Sequence, residues 1–253
     1  MRSLLNISAT IVLLIGTLTA GANASAPIAN HRVLFIGNSL TATNSLPAMV
    51  SALADAGDAG RIETRTIAVG GYSLEDHWND GPARRAITEG GWSFVVLQQG
   101  PSALPESQVL LREYTRRFND LIVRAGARTA LYMVWPSRDR FGDFDGVRDS
   151  YAKAAKDVDG LLLPAGEAWR AAWRRDRNLA LYGADNFHPS PLGSYLAAVV
   201  IVQGITGRTP SPLPRRLDSP AGLFPRIDMT EAEAKLLRDA AGDAARQHVE
   251  RDR

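Results

Sequence analysis

Two hydrophobic rhythms alternate along the chain. Short apolar runs, each ended by glycine or a polar turn, give way to longer stretches with apolar residues every three or four positions. Residues 32–36 form an apolar run that stops at Gly37-Asn38-Ser39, as expected of a strand buried on both faces in a parallel sheet. Residues 45–56 then read as a helix, with Ser45 placed to cap it and Pro47 tolerated in its first turn. Residues 62–69 alternate apolar and polar side chains and end at Gly70-Gly71, which predicts a second strand. Residues 82–89 predict a short helix closed by Gly90-Gly91. A third strand is expected at 93–98. The helix expected at 106–125 carries Val109, Leu110, Tyr114, Phe118, Leu121 and Ile122 on one stripe. A fourth strand at 129–135 stops at Pro136, a helix spans 147–158, and 161–163 is a short fifth strand. Helices follow at 165–175 and 192–205, the latter opened by Ser190 as cap and Pro191 at the first helical position.

Strand and helix thus alternate about five times, which predicts an α/β fold with a parallel sheet covered on both faces. No internal repeat is visible. Residues 209–225 are rich in proline, contain Arg215-Arg216 and read as an extended crossing of the surface. Thr230-Glu231-Ala232-Glu233 is a capping box that predicts a last helix from 231 toward 249. The expected organisation is an α/β domain at 25–208, an extended segment at 209–229 and a C-terminal helix at 230–253.

The N-terminus changes this picture. Residues 1–24 read as a secretory signal peptide: Arg2, an apolar stretch at 11–18 with Leu4 and Leu5 before it, and the small-x-small signal Ala22-Asn23-Ala24. Cleavage after Ala24 is preferred to cleavage after Ala26, where Pro27 would sit just past the cut. The apolar run is too short for a comfortable membrane span and no basic cluster follows it. A secreted or periplasmic protein with no stable membrane insertion after cleavage is expected. The 253-residue chain, 45% hydrophobic and 22% charged, can bury a large core without disulfides. It has no cysteine, which excludes disulfide staples, thiol nucleophiles, iron–sulfur clusters and a lipoprotein anchor. Twenty-nine basic residues against 27 acidic ones leave a formal charge of +2, too little to attract nucleic acid.

In open α/β sheets ligands bind beyond the carboxyl ends of the strands. Gly37-Asn38-Ser39-Leu40 follows strand one, Gly70-Gly71-Tyr72-Ser73 strand two, and Gln98-Gln99-Gly100-Pro101-Ser102 strand three. Asp185-Asn186-Phe187-His188-Pro189-Ser190 comes late in the chain. Together they hold a serine, a glycine turn, an amide side chain and an acid–histidine pair, the parts needed for acyl transfer by a serine nucleophile. A serine hydroxyl needs a base, and histidine is the base suited to neutrality. Asp185 and His188 are three apart, so on one tight turn the carboxylate reaches the imidazole, while Pro189 keeps His188 out of helical geometry. Candidate oxyanion donors are the Ser39 N–H, the N–H of Gly70 or Gly71, and the Gln99 side chain.

These blocks resemble the SGNH/GDSL hydrolase superfamily of esterases, lipases and carbohydrate deacetylases. Gly37-Asn38-Ser39-Leu40 resembles its first block with Asn for the usual Asp, Gly71 its second-block glycine, and Asp185-x-x-His188 with Pro-Ser its last block. The resemblance spans about residues 31–207. It implies a three-layer α/β/α sandwich with a central, mostly parallel five-stranded sheet, a Ser39–His188–Asp185 triad, an oxyanion hole from Ser39, Gly71 and an amide side chain, and no cofactor. The third block departs: Gln98-Gln99-Gly100 replaces Gly-x-Asn-Asp and is similar to the Gln-Gly-Glu block of the sialate and xylan acetylesterase branch. Gln99 would then stand for the asparagine, with Gln98 pointing to the other side of the strand. Alignment on Gly100 would select Ser102 instead. That branch implies short acyl groups such as O-acetyl on a saccharide. A lipase- or lysophospholipase-like esterase, an acyltransferase and a non-catalytic carbohydrate-binding protein are the other readings.

Each residue also has a plainer reading. Ser39 can be a helix cap, His188 a structural histidine, and Gly70-Gly71 only a turn. Asp185 and His188 are too few ligands for a metal. His77 is the one rival base, whereas His31 and His248 read as local structure. Trp135-Pro136 reads as packing at a strand end, and Arg84-Arg85, Arg116-Arg117 and Arg174-Arg175 as solvated helix faces.

Overall fold

The computed structural model describes residues 30–251, so the expected signal peptide at 1–24 and its cleavage site lie outside the described residues. Five strands form one parallel sheet: β1 (Asn30–Gly37), β2 (Arg61–Ala68), β3 (Phe94–Leu97), β4 (Arg128–Tyr132) and β5 (Leu161–Leu163). Their order is β2-β1-β3-β4-β5. The central β3 is buried at every position and β1 from Val33 onward, as their continuous apolar runs require. β2 lies at the sheet edge, which explains its alternating pattern.

The chain leaves β1 for β2 on one side and returns to β3 on the other, so strand order switches at β1. Register brings the carboxyl ends together: Gly37 lies opposite Ala68, Ile36 opposite Leu97, and Leu97 opposite Leu131. A crevice opens at such a switch point.

Helices cover both faces. One layer holds α3 (Leu74–Asp80), α4 (Pro82–Glu89), α5 (Pro105–Arg124) and α6 (Phe144–Lys156). The other holds α2 (Leu46–Ala56), α7 (Ala165–Arg175), α8 (Pro191–Thr206) and α9 (Glu231–Arg251), after the one-turn α1 (Ser39–Ala42) at the end of β1. α8 packs against α2, α7 and α9, so it is apolar all round and buried through most of its length. No described helix is long and apolar enough to cross a membrane.

Three local features differ from the sequence expectations. Ser45 makes no capping bond and sits in the left-handed region at φ 44°, with a 3-10 turn at Thr43–Ser45 ahead of α2. α3 is an additional helix, opened by Ser73, which accepts the Asp76 N–H while the Asp76 carboxylate accepts the Ser73 N–H. Residues 209–229 are more than an extended crossing. β6 (Arg216–Leu217) pairs antiparallel with β7 (Ile227–Asp228), and Leu213, Leu217, Phe224, Ile227 and Met229 are buried. These apolar anchors hold the proline-rich segment against the domain. At α9 the Thr230 hydroxyl accepts the Glu233 N–H at 3.2 Å, and the Glu233 carboxylate accepts the Thr230 N–H at 2.8 Å. His248 falls in α9, but its side chain lies outside the described part.

Candidate active site

At the end of β1, Asn38 caps α1: its Oδ1 accepts the Leu40 N–H at 3.1 Å. Ser39 becomes the first residue of α1, where backbone N–H groups have no intrahelical acceptor. The Ser39 N–H makes no hydrogen bond among the described residues.

Gln98 locks this turn from the next strand. Its Oε1 accepts the Asn38 N–H at 2.9 Å and the Thr41 hydroxyl at 2.7 Å, and its Nε2 donates to Asn38 Oδ1 at 2.9 Å. It is fully buried and points away from the cleft that Gln99 lines, the opposition expected of successive strand-end residues. The Asn38 amide also donates to the Tyr72 carbonyl at 3.0 Å, tying the Ser39 turn to the glycine turn after β2. Gly71 lies there at φ 79°, a conformation that favours glycine, and its N–H is likewise unengaged among the described residues.

His188 lies in the loop before α8. Asp185 Oδ1 accepts the N–H of Phe187 at 3.0 Å and of His188 at 2.9 Å, and Oδ2 accepts from His188 Nδ1 at 2.5 Å. These donors, the imidazole first, hold the Asp185 carboxyl down at about 2. A carboxylate only accepts, so Nδ1 carries the hydrogen and Nε2 is left to accept the Ser39 hydroxyl at 2.8 Å. Ser39, His188 and Asp185 therefore form one continuous relay. Three outside residues hold the loop in place. Trp135 Nε1 donates to the Phe187 carbonyl at 3.1 Å, Arg138 N–H to the Asn186 carbonyl at 2.9 Å, and Asn44 Nδ2 to the Pro189 carbonyl at 3.1 Å.

Gln99 sits in the cleft wall with its amide occupied. Its Oε1 accepts the Leu74 N–H at 3.1 Å, and Nε2 donates to Ser102 Oγ at 3.0 Å and the Ser107 carbonyl at 3.2 Å. Ser102, at φ 56°, gives its own proton to the Gly100 carbonyl, so it supports Gln99 and has no hydrogen left for an oxyanion. His77 is 2% exposed and its Nε2 lies 2.7 Å from the Gly37 carbonyl, which only accepts, so the hydrogen is on Nε2. Burial lowers its pKa. It props the end of β1 and does not join the relay. Trp135 is fully buried and stacks on Trp169 with centroids 3.5 Å apart, while Pro136 reaches the cleft. His31 packs edge-on against Phe94.

The adjoining cleft has a volume of about 440 Å3. Asn38, Gly71 and Gln99 line it beside the Ser39 turn, Leu104, Leu110 and Phe187 supply apolar lining, and Ser137, Arg140 and Asp143 supply polar lining.

Sequence reasoning did not single out Thr41 or Asn44. Each acts through a backbone or side-chain hydrogen bond to a residue distant in sequence, which local patterning does not display.

Neither family models nor curated proteins match the sequence. Solved structures do. A protein from Slackia heliotrinireducens assigned to the SGNH hydrolases is 29% identical over 70% of this chain and 100% of its own, with a TM-score of 0.60. In fold and in its site blocks the chain is similar to the SGNH/GDSL hydrolase superfamily. A DUF4886 family protein from Bacteroides uniformis is 20% identical, covering 86% of this chain and 95% of its own at a TM-score of 0.66. A lipase/acylhydrolase from Enterococcus faecalis is 16% identical, covering 72% and 98% at 0.56. These two share the fold.

Proposed function

We propose that the protein is an exported serine esterase that acts through an acyl-enzyme on short acyl groups, such as O-acetyl on a saccharide. The observation that carries this reading is the unbroken relay from Ser39 Oγ through His188 to Asp185.

In the first step Ser39 Oγ attacks the ester carbonyl and His188 Nε2 takes its proton. Asp185 holds the imidazole in the required tautomer and stabilises the imidazolium. The oxyanion is held by the N–H groups of Ser39 and Gly71, with the Gln99 amide as third donor. To serve, Gln99 exchanges its 3.2 Å bond to the Ser107 carbonyl for the substrate oxygen. That exchange is cheap, because Ser107 lies in the first turn of α5, where its carbonyl also accepts an intrahelical N–H. Collapse of the tetrahedral intermediate breaks the ester C–O bond, and His188 protonates the departing alcohol. Water then gives its proton to His188, attacks the acyl carbonyl and releases the acid, returning the proton to Ser39.

Short acyl groups and a polar alcohol portion suit the cleft: its volume must hold both, and its lining carries serine hydroxyls and the Arg140–Asp143 ion pair.

Hydrolysis of p-nitrophenyl esters from acetate to decanoate, by protein lacking residues 1–24 and by its Ser39→Ala variant, tests the reading. Activity on acetate that falls with chain length and disappears in the variant is expected. Activity retained without Ser39 overturns the mechanism, and a preference for decanoate overturns the acyl assignment. Export is tested separately by N-terminal sequencing of protein expressed from the full chain, with Ser25 expected as the first residue.

A further inference from the structure

A second, larger cleft of about 740 Å3 lies beside the catalytic one. The segment 136–143 separates them: Ser137, Arg140 and Asp143 line the catalytic cleft, whereas Arg138 and Phe141 line the second. The two clefts also share the loop that carries the base, since Tyr182 lines the second cleft and pairs with Pro189, next to His188.

The wall of this cleft is aromatic. Trp173, near the end of α7, and Tyr182 stack with centroids 5.5 Å apart at 28°, and Phe141, 50% exposed, lies 5.6 Å from Trp173. Their polar ends are already tethered. Trp173 Nε1 donates to the Leu179 carbonyl at 2.9 Å and the Tyr182 hydroxyl to the Pro136 carbonyl at 2.7 Å. The rings are thus fixed before a ligand arrives, which lowers the ordering cost of binding.

The charge lining the cleft is basic. Arg170 is neutralised by Asp145 and Glu167. Arg138, Arg174 and Arg177 pair with no carboxylate among the described residues, although Arg175, beside Arg174, reaches Asp243. Asp139 and Asp176, neighbours in sequence of Arg138 and Arg177, keep their charge but accept from the Ser137 hydroxyl and the Asn178 N–H, and neither forms an ion pair with the cleft arginines among the described residues. A place at the end of α7 suits Arg174 to the helix dipole, but Arg138 and Arg177 lie outside that helix.

We propose that this cleft is an accessory subsite for a carboxylate-bearing saccharide, with sugar faces on Trp173, Tyr182 and Phe141 and carboxylates on Arg138, Arg174 and Arg177. The inference rests on the reading of the substrate as a saccharide ester. Aromatic faces pack well against the C–H faces of sugar rings, and the guanidinium fork matches a carboxylate. A neutral glycan would use the rings but not three unpaired arginines. A chain bound here and passing over segment 136–143 would place a neighbouring sugar at Ser39.

The test is calorimetric titration of the Ser39→Ala protein with trigalacturonate, with xylotriose as neutral probe and tetraglutamate as acidic peptide. Trigalacturonate is expected to bind at least about tenfold more tightly than either, and to lose about tenfold in affinity in an added Arg174→Ala/Arg177→Ala pair. Failure of trigalacturonate to bind, or binding unchanged by the arginine pair, overturns the inference. Equal binding of tetraglutamate overturns it in favour of an acidic protein partner. In the parent with Ser39 intact, the arginine pair is expected to keep p-nitrophenyl acetate turnover within about twofold, since neither residue lines the catalytic cleft. Because binding is read without turnover, failure of the esterase reading leaves this result separately legible.

Discussion

Gly37 and Gln98 are packed so that a Cβ at residue 37 would lie 2.4 Å from Gln98 Oε1, and equally close to Thr41 Oγ1. The glycine before Asn38-Ser39 is therefore required by contact, since its φ is ordinary. Gln98 cannot retreat without giving up the bonds that hold Asn38 N–H and Thr41. Gly37→Ala is expected to cost about 1–3 kcal/mol of stability by overpacking. Turnover should fall further than that loss explains, because the Ser39 turn shifts against His188. Thermal unfolding beside kcat on p-nitrophenyl acetate checks both, and an active variant of unchanged stability would contradict the packing argument.

The third-block assignment predicts a rate effect. Under the proposed mechanism Gln99→Ala removes one oxyanion donor and leaves the Ser39 and Gly71 N–H groups in place, so kcat should fall on the order of 10²–10³ with little change in KM. Ser102→Ala frees one Gln99 hydrogen and should cost less than about tenfold. If Ser102→Ala proves the more damaging, the donor assignment is reversed.

Asp185 makes a prediction with a sign. Its pKa of about 2 lies below the ordinary 3.8, so the stability it contributes is complete above about pH 5 and is lost as pH falls through 3.8 toward 2. The stability difference between the protein and Asp185→Asn should therefore be constant from pH 5 to 8 and shrink below about pH 4. At neutral pH the same variant should lose kcat by a factor on the order of 10³–10⁴, because the amide no longer enforces the His188 tautomer. Chemical denaturation across this pH range, with kcat measured at neutral pH, checks both.

The parallel sheet was legible because its interior strands are continuous apolar runs, and the helices of 82–89 and 165–175 because glycine or charge marks their ends. α3 was overlooked although its capping box, Ser73 to Asp76, stands in the sequence, because only seven residues follow the cap and they carry little apolar period. The hairpin within 209–229 was hidden by prolines that outweigh its five scattered apolar anchors. At the site, the meeting of Ser39, Asp185 and His188 was legible from residue type and from their places after a strand and just before a helix. The partners of Gln99 were not, since a side-chain amide directs its bonds by tertiary contacts that no spacing encodes.

His77 sits in surroundings quite unlike those of His188. It is buried, its Nε2–H serves the Gly37 carbonyl, and the Tyr72 ring packs edge-on against it. Burial lowers its pKa from the ordinary 6.5, against the weaker opposing influences of its hydrogen bond to the Gly37 carbonyl and of Asp76 and Asp80. A histidine that stays neutral when folded and protonates when unfolded stabilises the fold above its unfolded pKa and loses that contribution as pH falls toward the folded value. Stability should thus decline as pH drops below about 6.5. His77→Gln keeps an uncharged donor for the Gly37 carbonyl at every pH and should flatten that decline, while p-nitrophenyl acetate turnover at neutral pH changes by less than about tenfold. Denaturation midpoints from pH 5 to 8 decide the first point. A loss of turnover as deep as that of Ser39→Ala would instead place His77 in the reaction.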